Sequence, residues 1–449
     1  MATIAEVRVR TGRRSEALLL CISVLVVVSA EALVGLGATG GLPANVWIFA
    51  GGTAALALGG HVALRYWAPA ADPVILPVAL TLNGLGLAMI YRLDLARAGT
   101  ANPTDYATRQ LGWSVLAIVL AIAIVVIVRD HRYLRRFTYT AMVVGLGLLL
   151  LPLVPGLGVE RRGALLWIDV FGNSFQPAEL AKIVLAIFFA GYLVTHRDSL
   201  ALAGPTFMGI RFPRPRDLGP ILVAWTASLA VLVYQKDLGT SMLFFGLFVA
   251  MLYVATDRAS WALLGVGMFV IGAFIAGAAF SHVANRYDAW LHALDPAVYS
   301  QEIGGSEQLV RGLFGLASGG ILGTGLGEGQ PAQVPFAESD FIVASLGEEL
   351  GLTGLMAILA LYLLLVQRAM RTSIGVRDGF GKLLAAGLGF TMALQLFVVV
   401  GGVTRVIPLT GLTAPFMAAG GSSLLANWIM VALLLRISDG ARRGEVSSP

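Results

Sequence analysis

Glu179 and Lys182 lie three residues apart, which places them on one helix face, yet they fall inside the apolar run 178–195. A charge within a membrane span costs roughly 2.5–3.5 kcal/mol at its centre on insertion scales and usually faces an interior cavity. Such a pair can line a substrate site, or it can neutralise itself, with Glu179 also favoured at the positive end of a helix entered at Pro177. A second candidate is Asp295-Pro296, at the end of the run Arg286-Tyr287-Asp288-Ala289-Trp290-Leu291-His292-Ala293-Leu294-Asp295-Pro296. Aspartate before proline commonly opens a turn. An exposed carboxylate can equally take a proton from a hydroxyl as a general base. Arg286 and Trp290 are possible substrate contacts beside it, although a tryptophan at a membrane edge is more often an interfacial anchor.

Other acids and small residues have structural readings. Asp340, before Phe341, is expected to cap a span. Glu349 lies about 13 Å deeper at 1.5 Å per residue, where the adjacent pair Glu348-Glu349 suits a buried hydrogen-bonded network better than a solvated face. Asp237-Leu238-Gly239-Thr240 reads as a helix cap. Gly420-Gly421-Ser422-Ser423 reads as a close helix contact, with Ser422 as a structural residue.

The elements that position these residues are membrane helices. Of 449 residues, 57% are hydrophobic and 13% charged, where a soluble domain carries about 25% charged residues; mean hydropathy is +0.82. Apolar windows recur near 17–37, 46–66, 74–92, 112–128, 137–154, 178–195, 218–234, 239–256, 261–280, 341–366, 383–403 and 412–435, each near the roughly 20 residues that cross a bilayer as a helix. The expectation is an all-α polytopic protein of about twelve spans. The break at Gln235-Lys236-Asp237-Leu238 is a tight hairpin. One membrane domain, 17–437, sits between tails 1–16 and 438–449, and residues 196–217 form a proline-containing linker.

With the N-terminus inside, 21 of the 31 basic residues fall on that side and nine on the other, with Lys182 inside a span. The bias places both termini in the cytoplasm and the segment 281–340, between the ninth and tenth spans, outside. It also explains the pI of 9.5 without a nucleic-acid partner. Residues 1–32 imitate a secretory signal, but the apolar run is long enough to be an uncleaved anchor. Cys21, the single cysteine, excludes an internal disulfide framework. No phosphate-binding G-x-x-x-x-G-K-[ST] and no H-E-x-x-H is present. The stretch 312–329 holds eight glycines and is read as a re-entrant or interfacial segment, whose backbone must be buried in protein or face a wet cavity.

Seven motifs in order carry a resemblance. Trp167-Ile168-Asp169 leading to Phe175-Gln176-Pro177-Ala178-Glu179-Leu180-Ala181-Lys182, Asp237-Leu238-Gly239-Thr240, Asp295-Pro296, Gly319-Gly320 to Gly327, Asp340-Phe341-Ile342, Gly347-Glu348-Glu349-Leu350-Gly351, and Pro415-Phe416 to Ser423 resemble the shape, elongation, division and sporulation family of RodA and FtsW type. They span 160–430, and the first two spans look additional to the family's usual ten. The resemblance implies a peptidoglycan glycosyltransferase that polymerises lipid II at the outer face of the cytoplasmic membrane, for cell elongation, shape or division. It implies work with a class B penicillin-binding protein and other elongation or division machinery. It assigns the essential aspartate to Asp295 and cavity-lining groups to Glu179 and Lys182. Glu307-Gln308-Leu309-Val310-Arg311-Gly312, Val334 to Asp340, and Lys236 in place of proline depart from the family pattern and lean towards the RodA type.

The reaction so implied is an inverting displacement: a sugar 4-hydroxyl attacks the anomeric carbon and undecaprenyl diphosphate leaves, with Asp295 as base. The leaving charge needs neutralising. Lys182, Arg286, Arg311 and a divalent cation are the candidates, with Gln308 and Asp340 as further substrate contacts and Glu349 and Asp237 in the cavity wall. The rival reading is a lipid II flippase using Glu179 and Lys182 as a polar track.

Overall fold

A computed structural model describes residues 13–99, 103–161, 164–170, 172–200, 203–207, 210–213, 219–301 and 304–444. Of the basic residues used above for orientation, Arg8, Arg10, Arg162, Arg214 and Arg216 lie outside the described residues, as do the ends of both tails.

The chain is a helical bundle. Its crossing helices are α1 (Arg13–Thr39), α2 (Val46–Trp67), α3 (Ile75–Arg97), α4 (Tyr106–Ile127), α5 (Thr138–Leu150), α6 (Pro177–Leu200), α7 (Gly219–Gln235), α8 (Leu238–Thr256) and α9 (Ala259–Ala279). Three short helices follow, α10 (Ser281–Leu291), α11 (Pro296–Tyr299) and α12 (Glu307–Gly319), then α13 (Ile342–Gly375), α14 (Gly379–Val403) and α15 (Gly421–Gly444). Among the described residues eleven segments are long and apolar enough to span a membrane. Here α5 counts together with the 3-10 turns that flank it, as His131–Leu153. The expected twelfth is α7, whose 17 residues reach about 25 Å at 1.5 Å per residue. Alternating crossings put α10, α11 and α12 on one face, called here the loop face, and the start of α1 and the end of α15 on the other.

Burial orders the bundle. The apolar windows of α3 and α15 are each 83% buried and that of α14 72%, against 17% for α9, so α3, α14 and α15 are the centre and α9 the rim. Polar ties lock this centre: Asn83 Nδ2 donates to Ser114 Oγ at 3.1 Å, and Asn83 Oδ1 accepts from Trp428 Nε1 at 2.8 Å. Local chemistry sets the helix ends. Pro177 opens α6 with Glu179 in its first turn and Arg197 in its last, complementing the dipole. Asp378 caps α14, accepting from the Gly381 N–H at 2.7 Å.

Two small sheets add to the all-helical expectation. Strands β1 (Gly158–Arg161), β2 (Ala164–Val170) and β3 (Asn173–Phe175) form an antiparallel meander in what reads from sequence as a loop. The expected linker contains an antiparallel hairpin, β4 (Ala203–Phe207) and β5 (Ile210–Pro213).

The glycine-rich stretch resolves into α12 and a return through Gly320, Gly323, Gly325 and Gly327, all at positive φ. It completes a break in α13. Gly351 adopts φ 67°, ψ −174°, which interrupts the helical ladder. Thr324 and Gly325 N–H donate to the Glu348 and Glu349 carbonyls, and Leu352 and Thr353 N–H donate to the Gly320 and Ile321 carbonyls, all at 3.0 Å. Irregular backbone at membrane depth is thus satisfied inside the protein. The outer end of this return packs against α1: a side chain at Gly37 would meet the backbone of Leu326 and Gly327.

Candidate functional site

Glu179 and Lys182 are both buried, and Lys182 Nζ lies 2.5 Å from Glu179 Oε2. Lys182 Nζ also donates to Gln395 Oε1 at 2.9 Å, and Gln395 Nε2 donates to the Thr413 carbonyl at 2.9 Å. The pair is therefore tied to α14 and to the segment before α15. Gln395 is a partner that no charge or spacing marks in the sequence.

Asp237 is buried at the start of α8, where its carboxylate accepts from the Thr240 N–H at 2.9 Å. Burial pushes this carboxyl up; the Thr240 hydrogen bonds and the nearby Arg286 oppose the rise, and Glu179 adds to it. Arg286, on α10, feels the carboxylates of both Asp237 and Asp340. It also donates to the Leu409 carbonyl at 2.8 Å. The structure so brings Glu179, Lys182, Asp237, Arg286 and Asp340 into one electrostatic neighbourhood. Asp340 does not cap α13, as expected from sequence; Phe341 holds that position, without a side-chain cap, and the Asp340 charge is directed to Arg286 instead.

Asp295 is exposed and caps the single turn α11, its Oδ1 accepting from the Ala297 N–H at 2.9 Å. The turn and the base readings of Asp295-Pro296 are compatible, because the cap uses one oxygen. Trp290 is fixed by Arg405: its indole N–H donates to the Arg405 carbonyl at 3.0 Å, while Arg405 returns bonds to the Trp290 and Leu291 carbonyls at 2.6 and 2.8 Å. Arg405 has φ 60°, a strained conformation for a residue with a side chain. Lys236, Phe336 and Phe416, also on the loop face, share that strain. An apolar groove of about 320 Å³ opens beside Tyr287 and Trp290 and runs between α8 and α9. Through Met242, Phe245 and Phe269 it joins a second apolar space of about 520 Å³ along α14.

The remaining candidates separate from this cluster. Glu349 is buried on α13, paired with Arg92 of α3 at 2.8 Å and accepting from the Gly327 N–H at 2.9 Å. That is the buried network the sequence suggested, with Arg92 as its unforeseen cation. Arg311 is exposed on α12 and pairs with Glu307 at 2.7 Å, and Gln308 beside it is half-buried. Ser422 is buried at the start of α15, where the adjacent Gly421 admits the Trp113 ring. Among the described residues no three His, Cys, Asp or Glu side chains are grouped to hold a metal ion.

Residues 73–443 match the FtsW, RodA and SpoVE family of cell cycle proteins, and the chain belongs to that family. It is a multi-pass membrane protein. The peptidoglycan glycosyltransferase RodA of Mycobacterium tuberculosis is 47% identical over 437 residues, 96% of this chain and 92% of its own. The probable peptidoglycan glycosyltransferase FtsW of Geobacter metallireducens is 33% identical over 82% of this chain and 94% of its own. Among solved structures, a chain of a peptidoglycan synthase complex that coordinates polymerization and crosslinking superposes with TM-score 0.65 at 23% identity, over 84% of this chain and 99% of that one. The rod shape determining protein RodA of Thermus thermophilus gives 0.56 at 24% identity, over 82% and 97%. At these identities the two structures speak for the fold. The family match begins after α2, in keeping with a ten-span core carrying two additional N-terminal helices.

Proposed function

We propose that this chain is a peptidoglycan glycosyltransferase of RodA type that joins lipid II units into β-1,4 glycan at the outer face of the cytoplasmic membrane. The observation that carries the reading is one juxtaposition. An apolar groove ends at Trp290, next to the half-buried Arg286 and its carboxylate neighbours, and an exposed carboxylate stands five residues further on at Asp295. These three parts match a polyprenyl tail, a diphosphate and a sugar hydroxyl. The 47% identity to a protein named for this activity supports it, as does the basic-residue bias for the loop face outside and both termini inside.

In the reaction, the 4-hydroxyl oxygen of one disaccharide forms a bond to the anomeric carbon of another, and the bond from that carbon to the diphosphate oxygen breaks. Asp295 takes the hydroxyl proton, and the leaving diphosphate departs with both electrons. The Asp295 oxygen that caps α11 holds the loop, leaving the carboxylate open to solvent. Arg286 lies on α10 between the groove-lining Tyr287 and the carboxylates of Asp237 and Asp340. Its two carboxylate neighbours keep it from being a rigid anion trap, so it exchanges partners as the diphosphate arrives and leaves. A class B penicillin-binding protein is the expected partner for crosslinking, in line with the synthase complex of the same fold.

The test uses purified protein, labelled lipid II and a partner synthase with its crosslinking site disabled. Wild type is expected to make glycan chains and Asp295→Asn none, with equal thermal stability because asparagine keeps the cap. Equal polymerisation by both would remove Asp295 from the chemistry. Transport of lipid II across liposomes without polymer would favour the flippase reading, for which the buried Glu179–Lys182–Gln395 track is the supporting feature.

A further inference from the structure

A second, chemically different cavity lies on the loop face. It measures about 460 Å³ and sits between α12 and the return segment that ends at Val334. Its buried polar side chain is Glu348, 6% exposed. Glu348 Oε1 accepts from the Gln330 N–H at 2.7 Å. Its other oxygen lies beside Gly315, where a side-chain carbon would stand 3.5 Å away, and no ion pair to Glu348 forms among the described residues. Ser318, Thr324, Glu328 and Gln333 add hydroxyl, carboxylate and amide groups, and Phe314 adds an aromatic ring. Arg311, at the rim, is engaged by Glu307 and by the Gln333 carbonyl at 3.2 Å.

This lining separates parts of a substrate by charge. Two carboxylates against one engaged guanidinium repel a diphosphate. A buried carboxylate without a cation gains from hydroxyl or amide donors, and an aromatic wall with a few polar groups is the makeup of a small-ligand site. The position fits as well. Arg311, Phe314, Gly315 and Ser318 follow helical spacing along one side of α12. Leu309 and Val310, from another side, pack on Ala293, and Ser306 Oγ donates to the Ala293 carbonyl at 2.6 Å. One helix therefore seats the Asp295 loop and walls the cavity.

We propose that this cavity binds N-acetylated sugar rings of the glycan strand, apart from the lipid diphosphate. The inference rests on the glycosyltransferase reading and adds a sugar subsite to it. A lipid-free peptidoglycan tetrasaccharide serves as the probe, its binding to the full-length protein in detergent read by saturation-transfer NMR and its polymerisation control run in parallel. Wild type is expected to bind it. Ser318→Trp, a substitution at an exposed position whose ring fills the cavity, is expected to lose binding, and Glu348→Gln, which keeps an acceptor for Gln330, to weaken it about tenfold. Melting temperatures of both variants establish that they are folded. Polymer formation with a tetrasaccharide that binds wild type and Ser318→Trp equally, or binds neither, overturns the subsite and leaves the polymerase reading. Binding lost in Ser318→Trp but no polymer from wild type overturns the polymerase reading and keeps a glycan site. Neither binding nor polymer overturns both.

Discussion

The Arg92 guanidinium of α3 meets the Glu349 carboxylate of α13 at 2.8 Å, less than one turn before Gly351 breaks the helix. The same arginine donates to the Gly329 carbonyl at 2.7 Å, so one side chain holds the broken helix and the segment that completes it.

Arg92→Ala is expected to lower stability by about 3–5 kcal/mol, because it leaves Glu349 buried without its cation. Arg92→Met combined with Glu349→Met should be milder than Arg92→Ala alone. Thermal unfolding in detergent reads both. An unchanged midpoint for Arg92→Ala would show that the pair does not hold the break.

Gly351→Ala tests the backbone side of the same junction. The positive φ alone costs about 1–3 kcal/mol for a residue with a side chain, and the added carbon would collide with the Gly323 backbone. Faster amide exchange at Thr324 and Gly325 is the expected signature, together with reduced polymerisation. Exchange as slow as in wild type would mean the ladder survives the substitution.

How much of this was legible beforehand depends on range. The Glu179–Lys182 pair follows from helical spacing, and the cap at Asp237 follows from its position before a span. Gln395 is uncharged and 213 residues from Lys182, so nothing local marks it. Asp340 reads as a cap from its immediate neighbours, yet an arginine 54 positions earlier in the chain claims its charge. The β1–β3 meander consists of short strands, the last only three residues long, too brief for alternation to stand out from a loop. Glycine density announced irregular backbone in 312–329, but its partner, the break at Gly351, sits within an apolar run that reads as unbroken helix.

Glu179 and Lys182 should be energetically coupled. Lys182→Met strands Glu179 in the bundle, so Glu179→Gln combined with Lys182→Met is expected to be more stable than Lys182→Met alone. The coupling from a double-mutant cycle should be about 0.5–3 kcal/mol. A coupling of zero would mean that the two groups do not meet in the folded protein.

A pH-dependent effect is expected on the opposite face. Burial raises the Asp378 carboxyl, but hydrogen bonds from His131 at 2.8 Å and from Gly381, with the charges of His131 and Arg132, bring it below its ordinary value. A depressed folded-state pKa stabilises the fold above the unfolded value of about 3.9, and the benefit disappears as pH falls through the folded value. Asp378→Asn should therefore lower the melting temperature at neutral pH, with the gap from wild type closing in acid. A gap that stays constant with pH would assign the loss to capping geometry rather than charge.

Arg92 and Glu349 are 257 residues apart. At about 5–20 residues per second of synthesis, the arginine waits roughly 13–50 seconds on the ribosome-bound chain before its carboxylate is made. During that interval α3 is a nearly finished span with an unanswered positive charge at its end, in need of lipid phosphate, water or an insertion factor. Closure of the loop face is thus a late event in biogenesis, and the timing is written into the distance between two side chains.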